Sequence, residues 1–133
     1  NDQIFIPAGN GKTNFIDIRD IAEVISLVLT KENYKNKTYE LTGSKSFSYY
    51  EIADILTDKL NRKIKYINPS ILRFFLRKKK EGVKIGKIIV MIVLYTLARA
   101  GNADKTTDEI QNLLCRDPLS FYKFVKDYKE CWI

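Results

Sequence analysis

The chain has 133 residues, of which 45% are hydrophobic and 29% charged, a composition typical of a folded globular protein and not of a disordered one. It has no histidine, and its two cysteines, Cys115 and Cys131, lack CxxC spacing. This excludes histidine-dependent catalysis and imidazole metal sites, and predicts a reduced, cytoplasmic protein without disulfides. The net charge of +7 is concentrated between Arg73 and Lys87, where seven basic residues accompany one acid.

The first half alternates predicted strands and helices. A helix is expected near Asp20, whose carboxylate would cap it, with Glu23 completing a capping box. Its apolar residues, Ile21, Val24, Ile25, Val28 and Leu29, have helical spacing and predict a core-facing side. A second helix is expected from a capping box of Ser48 and Glu51. Short extended segments are predicted at residues 4–6, 14–18, 38–42 and 64–67.

The second half predicts four helices. The first is capped by Ser70, the second covers residues 85–99, and the third is capped by Thr106 with Glu109. The fourth should start at Asp117-Pro118, because proline at the first helical position loses no intrahelical hydrogen bond. The apolar run at residues 88–95 is shorter than the roughly 20 residues of a spanning helix. It favours a helix that is buried or covered by a partner, with an interfacial membrane anchor as the alternative.

Two motifs resemble known sites but fail on spacing or position. Residues 9–13 end like a phosphate-binding P-loop, yet Ile6 stands where that motif needs its first glycine, so a turn is expected. There is no GxGxxG, and we predict no cofactor-binding residue in this chain. Tyr122 and Lys126 have the Tyr-x-x-x-Lys spacing, but they flank the apolar stripe of the last helix and predict a solvated pair. That stripe, a predicted core face, consists of Phe121, Phe124, Val125 and Tyr128. We predict no catalytic residue and no metal site.

Three segments in this order resemble NmrA-like proteins, a branch of the atypical and extended short-chain dehydrogenases. They are residues 9–22, residues 38–53, and the run from Thr107 to Val125 that includes Arg116-Asp117-Pro118. The resemblance implies an α/β fold: a helix-rich C-terminal fragment of a Rossmann-type sheet, with a few short strands followed by four helices. Residues 1–68 would form the terminal strands and helices of the truncated sheet, and residues 69–133 the helical substrate-domain cluster. NAD(P) is expected only in the full-length parent.

The resemblance also places Lys12, Thr13, Asn14 and Phe15 at the mouth of the substrate pocket. Related sugar-nucleotide epimerases have an arginine where Thr13 stands, which argues against a nucleotide-sugar substrate. Phe15 could equally be a core residue. Asp17 and Asp20 are interpreted as helix-capping groups and not as catalysts.

The leading hypothesis is therefore the substrate-binding C-terminal domain of an NAD(P)-dependent oxidoreductase or epimerase relative, inactive without its nucleotide-binding half. Its expected partners are that missing half, a small-molecule substrate and a second copy in a homodimer. We expect no nucleic-acid partner and no membrane association. The alternative is a stand-alone interaction module that uses the basic residues 73–87 on an acidic partner or membrane surface.

Overall fold

The computed structural model describes residues 2–34 and 36–132, in which four short strands and six α-helices form an α/β fold, as predicted. The termini of the two predicted domains, Asn1 and Ile133, lie outside the described residues. The strands are β1 (Gln3–Phe5), β2 (Lys12–Asn14), β3 (Ser46–Ser48) and β4 (Lys65–Ile67). The helices are α1 (Ile18–Thr30), α2 (Tyr49–Leu60), α3 (Ile71–Lys80), α4 (Ile85–Arg99), α5 (Glu109–Leu114) and α6 (Phe121–Asp127). Two 3₁₀ turns cover Glu32–Tyr34 and Lys129–Trp132.

The strands form two pairs. β1 runs parallel to β4, with Ile4 opposite Tyr66, and β2 pairs with β3. Parallel strands far apart in sequence are typical of a Rossmann-type sheet, in which helices connect neighbouring strands. A pair of three-residue strands is only a small piece of such a sheet.

The chain divides into two compact units. The first contains Asn1–Thr13 and Phe47–Asp104, and the second contains Asn14–Ser46 and Lys105–Ile133. Each unit therefore draws residues from both sides of the predicted boundary at residue 68, which remains a prediction about the parent fold.

The core of the first unit forms where β1 and the turn after it meet α3 and α4. Phe5, Ala8, Phe74 and Ile88 are buried there, and Tyr66 and Tyr95 pack against them. α2 adds the buried residues predicted from its periodicity, Ile52, Ile55, Leu56 and Leu60. Its predicted capping box is confirmed. Ser48 Oγ accepts from the Glu51 N–H at 3.3 Å, and a Glu51 carboxylate oxygen accepts from the Ser48 N–H at 2.8 Å.

Two predictions in the first half are wrong. Residues 38–42 are not a strand: the Glu40 carbonyl oxygen and the Thr42 hydroxyl instead bond to Thr107. α1 begins at Ile18 and not near Asp20, because Asp17 is its N-cap and accepts from the Arg19 N–H at 2.9 Å. The core-facing side of α1 is also narrower than predicted, because Ile25 and Leu29 are exposed.

Two helix starts in the second half are also wrong. α5 begins at Glu109 after Asp108, and the Thr106 hydroxyl instead accepts from the Asn14 amide at 3.3 Å. α6 begins at Phe121 with Ser120 as its cap, three residues after Asp117. The reason is a tertiary bond: the Leu119 N–H donates to the Asp20 carboxylate at 2.8 Å, which keeps this segment out of the helix.

α4 has the predicted limits, residues 85–99, and of the predicted alternatives the fully buried helix is excluded. Ile88 and Ala98 are buried, whereas Ile89, Val90 and Leu94 are about half exposed. No helix in the described part of the chain is both long enough and apolar enough to cross a membrane.

Candidate functional site

The residues predicted to line the substrate pocket occupy β2 and the position after it. Lys12 is exposed and lines a cleft of ≈ 580 Å³ in the first unit. The other walls of this cleft are Gly9, Asn10, Gly11, Asn68, Arg99, Ala100, Gly101 and Asp104. This volume lies in the range of small-molecule sites. The Lys12 and Arg99 side chains give its rim two positive charges beside the Asp104 carboxylate.

The glycine-containing loop of this cleft is a turn, as predicted, and its N–H groups are used internally. The Gly9 N–H donates to Asn68 Oδ1 at 3.1 Å, and the Gly11 N–H donates to the Ala8 carbonyl at 3.0 Å. Gly9 has a φ of +59°, which favours glycine, and a Cβ on Gly11 would lie 2.2 Å from the Ala98 carbonyl oxygen. The loop therefore packs on the C-terminal end of α4 and is not a phosphate cradle.

Thr13 and Asn14 are held by contacts within the protein. The Thr13 hydroxyl is 3.2 Å from the Tyr49 hydroxyl. Asn14 Oδ1 accepts from the Gly43 N–H at 2.6 Å, and its Nδ2 donates to the Gly43 carbonyl at 3.1 Å. A Cβ on Gly43 would lie 1.9 Å from the Phe15 carbonyl oxygen. Asn14 thus fixes the backbone next to Phe15.

Phe15 lines an aromatic pocket in the second unit. Its ring centroid is 5.4 Å from that of Phe121, which is 6.1 Å from Phe124. With Ile16, Asp17, Leu119 and Ser120, these rings enclose ≈ 120 Å³. A dry cavity of about 150 Å³ holds benzene, so this pocket, which is somewhat smaller, is close to the size of one ring. The family resemblance pointed to Phe15, whereas the helical spacing of Phe121 and Phe124 predicted only a core stripe.

Two buried carboxylates support the aromatic pocket. Asp17 Oδ2 is 2.7 Å from Arg19 Nη2, and hydrogen bonding to this guanidinium lowers the pKa of Asp17. Asp20 is fully buried and forms an ion pair with Arg116 at 2.8 Å while accepting from the Leu119 N–H. These bonds connect α1 to the segment before Phe121. Asp17 caps a helix, as predicted, whereas Asp20 fixes a tertiary contact.

The tyrosines that could serve as proton donors have other roles. The Tyr66 hydroxyl lies 3.1 Å from the Ile6 carbonyl and 3.2 Å from the Gly9 carbonyl, and burial raises its pKa to about 12. Burial also raises the pKa of Tyr95. Tyr122 and Lys126 are exposed on α6, as predicted. Neither of these half-buried tyrosines is therefore poised to exchange a proton near neutral pH.

The turn at residues 9–11 does not fit the phosphate-binding turn of a dinucleotide site. A Rossmann fingerprint requires a glycine-rich turn between a strand and a helix, so that the pyrophosphate meets the helix N-terminus. The turn at residues 9–11 instead leads into β2, and its Gly9 and Gly11 N–H groups are used internally.

Comparison with known proteins finds oxidoreductases that are similar to this chain. No family model matches the chain. The agroclavine dehydrogenase of Claviceps fusiformis is 29% identical over 132 residues, which are 99% of this chain and 46% of that protein. The structure of Citrobacter sp. triphenylmethane reductase complexed with NADP(H) matches with a TM-score of 0.85 and 26% identity, over 95% of this chain and 44% of that one. The chain is therefore similar to one part of NAD(P)-dependent reductases.

The match is confined to part of each relative. The NAD(P)H azoreductase of Xenophilus azovorans is 28% identical over 124 residues, which cover 93% of this chain and 43% of that enzyme. The chain thus spans about half the length of the relatives it matches. The predicted resemblance and the Rossmann-type fold class are confirmed.

Proposed function

We propose that this chain is the substrate-binding part of an NAD(P)-dependent oxidoreductase and that its aromatic pocket receives a ring of a conjugated substrate. The observation that carries the proposal is the cluster of Phe15, Phe121 and Phe124 around a ring-sized cavity. Aromatic walls favour planar unsaturated ligands through offset or edge-to-face contacts.

The names of the relatives are consistent with this substrate class. They are an azoreductase, a triphenylmethane reductase and an agroclavine dehydrogenase, and azo and triphenylmethane dyes are conjugated aromatic molecules. The substrate of this protein would share that chemistry without being any one of these compounds.

The cleft beside Lys12, in the first unit, is a second candidate site that would take a small polar group. Lys12 is exposed at its rim, and the loop that carries it is fixed by Gly11 against α4. Thr13, which contacts Tyr49, would hold the strand that carries Lys12, and Asn14 would position Phe15 in the second unit. In this proposal Phe15 contacts the conjugated ring, Asn14 acts through the backbone, and Lys12 contacts only a ligand of the cleft.

The chain alone would not catalyse reduction. The dinucleotide would bind to a nucleotide-binding half of the kind that the resemblance implies, because the turn at residues 9–11 is not a Rossmann phosphate-binding turn. The predicted homodimer also belongs to this proposal, since β1 and β4 each have only one neighbouring strand among the described residues. Light scattering tests the dimer, and a monodisperse monomer would contradict it.

The fluorescence of Trp132 tests the pocket. Trp132 is the single tryptophan of the chain, and its ring centroid lies 6.5 Å from that of Phe124. An azo or triphenylmethane dye bound in the pocket should quench this fluorescence in a saturable manner. Phe121→Leu should weaken dye binding about threefold to tenfold, the contribution of an aromatic contact.

Tyr122→Phe is the matched control, because Tyr122 is the exposed neighbour of Phe121 on α6. It should leave the dye affinity unchanged. Equal affinities of the wild type and Phe121→Leu would contradict binding in this pocket. Dye reduction by this chain with NADPH would contradict the proposal that it is inactive alone.

A further inference from the structure

The exposed side of α4 is an apolar surface without a partner among the described residues. Its members are 46–57% exposed: Ile85, Ile89, Val90, Val93, Leu94 and Leu97. At 3.6 residues per turn they cover about half of the helix circumference. The other half contains Ile88 and Ala98, which are buried. A helix that is apolar all round is normally covered on every side.

This surface, which we call the α4 face, offers almost no hydrogen-bonding group. Its polar side chain is Thr96, and the Thr96 hydroxyl donates to the Ile92 carbonyl at 2.8 Å. Helical spacing puts the charged side chain of Lys87 at one margin of the face, whereas the Arg99 side chain lies against the loop at Gly9. Long basic side chains at the margins of an apolar face can extend to a polar layer while their stems stay in contact with apolar groups.

The positive charge next to the α4 face is not neutralised within the described residues. Glu81 is the single acid between Arg73 and Lys87, and it already pairs with Arg77 at 3.0 Å and Lys78 at 2.7 Å. The remaining basic residues have no ion pair in the described part of the chain: Arg73, Lys79, Lys80, Lys84 and Lys87. The first turn of α4 also has no acidic residue, although the positive end of the helix dipole favours one there.

We propose that the α4 face docks on an anionic lipid surface, with α4 lying in the plane of the membrane interface. Acyl chains would cover the apolar residues, and anionic headgroups would neutralise Lys84, Lys87 and the end of α3. Interfacial helices combine these two features, an apolar side and flanking Lys and Arg. A second copy of the chain would bring the same excess of positive charge and would not neutralise it. This inference is independent of the proposed substrate site.

Co-sedimentation of the full chain with vesicles tests the proposal. The chain should bind vesicles that mix phosphatidylserine with phosphatidylcholine, and binding should weaken as salt is added. It should bind phosphatidylcholine vesicles only weakly. Lys84→Gln combined with Lys87→Gln should reduce binding about 25-fold, fivefold per lysine.

Two further variants isolate the charge and the apolar contributions. Lys63→Gln with Lys126→Gln removes the same charge from exposed positions elsewhere and should leave binding nearly unchanged. Val90→Gln with Leu94→Gln should also weaken vesicle binding, and circular dichroism should report an unchanged helix content. An equal loss in the two lysine pairs, or equal binding to both kinds of vesicle, would overturn the proposal.

Two other results would overturn the proposal and identify a different partner. One is the absence of vesicle binding together with a dimer in light scattering that Val90→Gln with Leu94→Gln dissociates. The α4 face would then be an interface between copies. The other is binding to heparin as tight as to vesicles, unchanged by the same variant, which would indicate a polyanion without acyl chains.

Discussion

The two compact units use their charged groups in opposite ways. In the second unit, Asp17 and Asp20 are buried and each is paired with an arginine. In the first unit, Lys84 and Lys87 are exposed without an ion pair in the described residues, next to the apolar α4 face. Buried pairs fix geometry, because an unpaired buried charge is costly. The difference indicates a preorganised pocket in one unit and a surface suited to a large anionic partner in the other.

The largest expected effect is the difference in unfolding free energy between a substitution on the buried side of α4 and one on its exposed side. Ile88 is fully buried and Ile89 is 52% exposed. Ile88→Ala should lower the free energy of unfolding by about 3–4 kcal/mol through lost burial and a new cavity. Ile89→Ala should change it by less than about 0.5 kcal/mol. Urea unfolding measures both, and similar losses would mean that α4 is covered on both sides in solution.

The next effect concerns the buried pair beside the aromatic pocket. Asp20→Ala removes the partner of Arg116 and the acceptor of the Leu119 N–H. We expect a loss of about 3 kcal/mol in urea unfolding. Glu23→Gln changes the half-exposed partner of the same arginine and should cost less than about 1 kcal/mol. If both variants lower the free energy of unfolding by the same amount, Asp20 does not anchor the segment before Phe121.

Two glycine substitutions compare the packed loop at Gly11 with the exposed side of α4, and their expected effects on stability are smaller. Gly11→Ala forces a Cβ against the Ala98 carbonyl and should cost about 2 kcal/mol. Gly86 lies on α4, and a Cβ added there would meet no atom within 4 Å, so Gly86→Ala should stabilise the protein by about 0.5–1 kcal/mol. Thermal unfolding should show a lower Tm for Gly11→Ala and a higher Tm for Gly86→Ala. A destabilised Gly86→Ala variant would contradict the open surroundings of that residue.

The smallest effect is a pH dependence in the second unit. Hydrogen bonding to Arg19 lowers the pKa of Asp17 below its usual value of 3.8, so the charged form is the one that stabilises the fold. This stabilisation is present above that value and is lost as the pH falls through the lower, folded-state pKa. Asp17→Asn should therefore reduce the fall in Tm below pH 4. An unchanged acid profile would contradict the role of this pair.

Local chemistry made much of the fold predictable. The capping box at Ser48, the cap at Ser70 and the limits of α4 depend on residues within one turn of each other, and all three were predicted correctly. The start of α6 was not, because it depends on the Leu119 N–H bonding to Asp20, 99 residues away in sequence. The segment 38–42 has strand-like residues, yet its hydrogen bonds go to Thr107.

The candidate site was predictable only in part. Family resemblance pointed to residues 12–15, but periodicity made Phe121 and Phe124 look like ordinary core residues. Amphipathic spacing cannot distinguish an aromatic ring that fills a core from one that lines a cavity. The exposure of the α4 face was predicted only as one of several alternatives, because an apolar run indicates a buried or covered helix without indicating what would cover it.

The most direct test of the central claim is an NMR titration of this chain with two ligands in separate experiments. Resonances of Phe15, Phe121 and Phe124 should shift with a conjugated azo dye, and NADPH alone should shift none of the assigned resonances. That result would support a substrate-binding part whose cofactor site lies elsewhere. Saturable shifts with NADPH alone, or dye shifts that avoid these three residues, would contradict the account.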